Sequence, residues 1–221
     1  MSENDNIVVE TTGSSAAAPH DPCFDDPTYG DLQVIVNDAY KYHVHRFVLS
    51  MISPVFQQML TNGMKESREA ELRLQEEDPH APYFGQLLSF FYPFSHVELT
   101  TRNVSAFLHF ADKYDLPHKL KRECELFLLA LPPSWELLCM AQKYGLKELL
   151  NEQAEWASGN VQERVHPNYE QLEAETCRCI LRHVAARTTK LINAFSKRQI
   201  SVREELNEHF PSESLSRRGF Y

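Results

Sequence analysis

Glycine is scarce, with 7 residues in a chain of 221. A phosphate cradle needs glycines so that backbone amides can approach the ligand, and this composition argues against one and for a fold with few tight turns. No apolar run approaches the roughly 20 residues that span a bilayer, and the polar, acidic start MSENDN is not that of a secretory signal. No membrane partner is expected. The five cysteines (Cys23, Cys124, Cys139, Cys177 and Cys179) are an odd number, and most fall within apolar helical stripes. Reduced thiols in a cytoplasmic or nuclear setting fit this better than a disulfide framework. Also missing are G-x-S-x-G, H-E-x-x-H and G-x-x-x-x-G-K-[ST] motifs, and no nucleophile sits beside a base. Hence no catalytic residue, no cofactor and no metal are assigned.

What the chain does have is an excess of acid. Its formal net charge is −9, unevenly spread: residues 1–100 hold 15 acids against 5 Lys/Arg, and residues 187–221 hold 7 Lys/Arg against 4 acids. An acidic body repels phosphate backbones, so nucleic acid is not an expected partner.

Residues 1–27 are polar, with small residues from Ser14 to Ala18 and prolines at 19, 22 and 27, and read as a disordered arm. Leu32, Val34 and Val36 then mark a short apolar strand, Asn37-Asp38-Ala39 a turn, and Tyr40, Tyr42 and Val44 a returning strand. Helical spacing follows in Phe47, Val48 and Met51, and again after Pro54 in Val55, Met59 and Leu60. Ala70, Leu72 and Leu74 alternate with charges as in a half-buried strand. Phe84, Leu87, Leu88 and Phe91 form an amphipathic stripe that Pro93 ends, and further stripes occupy Val104–Tyr114 and Leu120–Leu131.

Pro132-Pro133 marks a boundary, after which Ser134 is placed to cap a helix with Glu136 in its first turn. An internal echo crosses this boundary at an offset of 30. "FADKYDLPHKL" is answered by "MAQKYGLKELL", pairing Phe107, Phe110, Ala111, Lys113, Tyr114 and Leu116 with Leu137, Met140, Ala141, Lys143, Tyr144 and Leu146. Two copies are too few for a solenoid and predict a helical domain continued by a similar helix pair. A weaker stripe at Ala174, Cys177, Ile180, Leu181 and Val184 extends the helical region, and residues 210–221 read as a flexible tail.

Two strands, two helices, a third strand and then helix pairs is an order that resembles the BTB/POZ fold. The residues match in kind: Asp31-Leu32-Gln33-Val34-x-Val36, then Tyr42-His43-Val44-His45-Arg46-Phe47-Val48-Leu49-Ser50-x-x-Ser53-Pro54-Val55-Phe56, then Phe90-Phe91-Tyr92 and Ala111-x-x-Tyr114-x-Leu116. The resemblance implies an α+β class, a small sheet flanked by helices over residues 28–131, followed by a BACK-like helical extension over 132–209. It implies a non-catalytic protein–protein interaction module, a substrate adaptor or assembly subunit of a cullin-RING ubiquitin ligase; the alternative is an oligomerisation or scaffold protein without cullin binding. The expected partners are a cullin-3-type scaffold and a protein substrate.

Met64-Lys65-Glu66 stands where many cullin binders in the family carry a hydrophobic-x-Glu motif, so Met64 and Glu66 are the candidate cullin contacts. Asp31 and Arg46 match positions of a charged pocket near the family's pairing surface, and Val48 an apolar dimer position. Dimerising members carry a Leu-rich helix before the first strand, whereas His20 to Pro27 shows no such stripe, so the homodimer lacks its usual contact. His45 matches a structural histidine at the strand–helix junction.

Two local patterns are weighed as metal sites. His43 and His45 share a strand face, yet no nearby cluster completes a tetrahedral set; Cys177-x-Cys179 with His183 converges poorly on a helix. Trp135 and Trp156 are candidates for a partner site or for packing of a helix pair, and Glu76-Glu77-Asp78 reads as a solvated turn.

Overall fold

The computed structural model describes residues 18–61, 70–93, 95–160 and 170–209. It divides at Pro132-Pro133 into two compact units.

The first unit is built on a three-stranded sheet of order β2-β1-β3. Strand β1 (Leu32–Val36) pairs antiparallel with β2 (Tyr40–Val44), Val34 facing Tyr42. It pairs in parallel with β3 (Glu71–Leu74), Val34 facing Leu72. As the central strand, β1 buries Ile35 as well as Leu32, Val34 and Val36. This departs from simple alternation, because a strand covered on both faces has no solvent side. Asn37 and Asp38 both have positive φ (52° and 56°), and Ala39 N–H bonds Val36 C=O at 3.1 Å. Turns of this hand follow the twist of the strands, and Asn and Asp tolerate them.

Helix α1 (Arg46–Ile52) and α2 (Pro54–Thr61) follow directly. Buried Ser53 separates them: its hydroxyl accepts from Phe56 N–H at 3.0 Å and donates to Tyr114 C=O at 2.6 Å. One side chain therefore caps α2 and ties it to the distant C-terminus of a later helix. After β3 come α3 (Phe84–Phe91), α4 (Val104–Lys113) and α5 (His118–Leu129). The core gathers Phe56, Phe84, Phe107, Phe110 and Tyr114 around the sheet residues. Gly30 is required where it stands, because a Cβ there would lie 2.1 Å from the Val44 carbonyl oxygen.

The second unit holds α6 (Trp135–Tyr144), α7 (Lys147–Gly159) and the 36-residue α8 (Ala174–His209). Ser134 Oγ accepts from Leu137 N–H at 3.2 Å and caps α6. A small core joins Leu138, Ala154, Ala157 and Ile180. Trp135 and Trp156 pack against it with their rings edge-on at 5.7 Å, which places both in helix packing. On α8, Arg187 donates to Glu155 C=O of α7 at 3.2 Å. Beyond it Leu191, Ile192, Phe195, Ile200 and Val202 are exposed. No helix of the described residues is long and apolar enough to cross a membrane.

Candidate protein-interaction site

Asp31 and Arg46 meet where β2 turns into α1. Asp31, just before β1, accepts a hydrogen bond from the Arg46 backbone N–H at 2.7 Å. A carboxylate thereby satisfies the first amide of α1 and meets the positive end of its dipole. Asp31 and Arg46 are thus brought together through the backbone amide, while an Arg46 guanidinium nitrogen lies 3.5 Å from Leu60 C=O. Val48 is half-buried on the same helix.

His45 is hydrogen-bonded at the strand–helix junction. Its N–H bonds the Tyr92 hydroxyl at 2.9 Å, and its Nδ1 lies 3.3 Å from the same oxygen. The Tyr29 ring packs edge-on to His45 at 5.1 Å, and Phe24 packs edge-on to Tyr92 at 5.0 Å. Burial holds the Tyr92 phenol above its ordinary pKa and raises that of Tyr29 to about 12, so both hydroxyls stay protonated.

Above this junction α1 presents an apolar patch. Phe47 and Met51, one turn apart, are 73% and 69% exposed, whereas Leu49 is fully buried. The sequence stripe Phe47–Val48–Met51 therefore marks an outward face. Large apolar side chains rimmed by polar groups are characteristic of protein contact surfaces. Met64 and Glu66 lie outside the described residues, as do residues 1–17 and the tail 210–221.

The reading of residues 1–27 as a disordered arm fails over 18–27. Pro22–Asp25 forms a 3₁₀ turn, and Phe24 is fully buried. Asp21 N–H bonds Ser89 Oγ at 3.1 Å, and Ser95 Oγ donates to the Asp21 carboxylate. Hydrogen bonds from Cys23 first, then Ser95, hold the Asp21 carboxyl below its usual range. Proline and acid content resembled a solvated arm; one phenylalanine and one capping aspartate anchor it to the body. This turn is four residues long, not a Leu-rich helix.

Glu76 also departs from expectation. The acid run reads as solvated, yet the Glu76 side chain is 0% exposed. It accepts from the Tyr114 hydroxyl, from Lys113 Nζ at 3.0 Å and lies 3.1 Å from His109 Nε2. Asn37 brackets its backbone, accepting from Glu76 N–H at 2.7 Å and donating to Glu76 C=O at 2.8 Å. No local spacing announces such a set, because its members come from the hairpin turn, the loop after β3 and α4. Of the histidines weighed as metal ligands, His43 Nε2 lies 3.2 Å from Gln33 Nε2, and His183 Nε2 3.2 Å from Asn151 Oδ1.

Comparison with known proteins agrees with this architecture. The BTB/POZ domain family profile matches residues 21–131. Kelch repeat and BTB domain-containing protein 8 of Xenopus tropicalis is 31% identical over 148 residues, 62% of this chain and 24% of the relative. The protein of that name from Rattus norvegicus is 32% identical over 129 residues, covering 57% and 22%. BTB and MATH domain-containing protein 36 of Caenorhabditis elegans is 29% identical over 153 residues, covering 67% and 47%. The chain thus spans about a quarter of the Kelch-containing relatives and just under half of the nematode one. A BTB unit is an interaction module, and with the profile covering half its length the chain belongs to the BTB/POZ family.

Proposed function

We propose that this protein is a non-catalytic adaptor that joins a cullin-3-type scaffold to a protein substrate in a ubiquitin ligase of the cytoplasm or nucleus. The observation that carries the reading is the arrangement of a BTB unit at 21–131 followed directly by a paired-helix unit, α6–α7, with the long α8. On this reading Met64 fills an apolar groove on the cullin and Glu66 orients the contact at its rim. The exposed apolar residues of α8 from Leu191 to Val202 supply a surface for the substrate.

A second reading, self-association without cullin, is favoured by one specific observation. Phe47 and Met51 stand exposed on α1 beside Val48, Asp31 and Arg46. Burying two large apolar side chains against a second copy would contribute about 1.5–3 kcal/mol each.

The test is a binding titration of the full chain with a purified cullin-3 N-terminal domain, with light scattering on the same samples. The adaptor reading expects micromolar or tighter binding, weakened at least about 30-fold in Met64→Ala/Glu66→Lys, as for loss of a hot spot of about 2 kcal/mol. No binding by the wild type would leave the assembly reading. In that case a dimer mass that falls to monomer in Phe47→Ser/Met51→Ser is the expected result.

A further inference from the structure

The strongest unassigned cluster lies where the loop after β3 meets α4. Glu77, His80 and His109 each offer one ligand atom, and these atoms lie within 4.8 Å of one another. The histidine side chains are 10% and 16% exposed, and their rings lie 4.4 Å apart at 28°. Glu77 is 69% exposed at its side chain, with its carboxylate 3.9 Å from His80 Nε2.

We propose that Glu77, His80 and His109 bind one divalent transition-metal ion of the zinc class. Two imidazoles and one carboxylate are the donors of a three-ligand zinc site, in which water takes the fourth position. Nitrogen donors favour zinc, cobalt or nickel over magnesium and calcium. Ligand bonds of about 2.0–2.2 Å at tetrahedral angles place donors roughly 3.3–3.5 Å apart. The set therefore has to contract by about an ångström, and the exposed Glu77 is free to swing inward.

A second shell is already in place. Metal-bound imidazoles characteristically donate their other ring N–H to a carboxylate, which fixes the ring and makes it a better donor. Glu76, fully buried and held by Lys113 and Tyr114, lies 3.1 Å from His109 Nε2 and takes that role when Nδ1 of the ring binds the ion. Its neighbours Glu77 and Asp78 give the loop three successive acids, with Lys113 paired to Glu76, a surplus of negative charge among the described residues for a cation. A bound ion would fasten the loop after β3 to α4, independently of any cullin contact.

The test is titration of the EDTA-treated full chain with Zn²⁺, followed by calorimetry, and with Co²⁺, followed by visible absorption. One saturable site per chain is expected, with tetrahedral cobalt bands and no thiolate-to-cobalt charge transfer. Glu77→Gln, at an exposed position that leaves the fold intact, should weaken binding at least about tenfold. His80→Gln, with circular dichroism as its folding control, should weaken it more. Saturable binding that Glu77→Gln and folded His80→Gln leave unchanged, thiolate charge transfer from the cysteines, or no saturable binding would each overturn the proposal.

Discussion

The pair α4–α5 in the first unit and the pair α6–α7 in the second carry related sequences and end their leading helices the same way. In the first, Asp115 takes a left-handed conformation (φ 47°), and Leu116 N–H returns to Ala111 C=O at 3.0 Å. In the second, Gly145 takes it (φ 66°), Leu146 N–H returns to Ala141 C=O at 2.9 Å, and Gly145 N–H reaches Gln142 C=O at 3.3 Å. This is the Schellman ending, and the A-x-K-Y-[DG]-L echo is its sequence trace. What differs is the setting. Phe107 and Phe110 are fully buried among aromatic neighbours, whereas their counterparts Leu137 and Met140 lie nearer the surface, and Leu138 takes the core position instead. The same local motif thus serves a large aromatic core in one place and a small aliphatic one in the other, because capping is fixed within six residues and burial is not.

The comparison breaks most visibly in the cores. Phe107→Ala should cost about 3–5 kcal/mol, the range for a buried phenylalanine, and Leu137→Ala about 2 kcal/mol, the low end for leucine, since its site can relax toward solvent. The two units have separate cores, so each needs its own probe. Both tryptophans of the chain, Trp135 and Trp156, lie in the second unit, and their fluorescence in a denaturant titration reports on that unit. Amide hydrogen exchange of β1 reports on the first. Equal losses in the two would show that the pairs are equivalent in packing as well as in capping.

Next in size is the tyrosine that precedes each left-handed residue. Tyr114 gives its hydroxyl to the buried Glu76, and Tyr114→Phe should cost about 1–3 kcal/mol by leaving that carboxylate short of a donor. Tyr144→Phe should stay within about 0.5 kcal/mol. Burial, and then the bond to Glu76, hold the Tyr114 phenol well above the ordinary range. The unfolded side chain ionises near pH 10. This contribution is therefore fully present below about pH 10 and is lost as pH rises from there toward the folded pKa. In alkaline denaturation Tyr114→Phe should be flatter than wild type by up to one proton, about 1.4 kcal/mol per pH unit. An unchanged slope would mean that Tyr114 ionises freely in the folded chain.

Much of this was legible in the chain. The Asn37-Asp38 turn, the two strands beside it, Ser134 as a cap and the helix stripes all rest on neighbours in sequence, and local chemistry determines them. The strand at β3 was legible from its alternation, but its parallel pairing with β1 follows from no local pattern. Two features were not legible. Phe24 sits among prolines and acids that read as an arm, and its anchor partners, Tyr29 and Tyr92, include one from 68 residues further on. Glu76 sits in an acid run, and its burial depends on Tyr114, Lys113 and His109, all more than 30 residues away. Of the pocket candidates, Asp31 bonds the Arg46 backbone and Val48 is half-buried, while Phe47 and Met51, read only as part of a helical stripe, are its exposed members, an orientation that sequence spacing could not give.

The smallest expected effect tests the capping motif itself. An added Cβ at Gly145 meets no atom within 4 Å, so Gly145→Ala carries a backbone cost alone. A left-handed L-residue costs about 1–2 kcal/mol, and alanine's lower entropy in the unfolded chain returns part of it. A net loss of about 1 kcal/mol by tryptophan fluorescence is the expected result. The reciprocal change, Asp115→Gly, should stabilise the first unit by a few tenths to about 1 kcal/mol, because glycine adopts φ 47° without steric penalty. Asp115 lies next to Tyr114, whose carbonyl holds Ser53, so the gain appears only if that bond survives the looser backbone. If Asp115→Gly instead destabilises, the aspartate is restraining the chain at this corner, and the two endings are alike in geometry but not in what they hold.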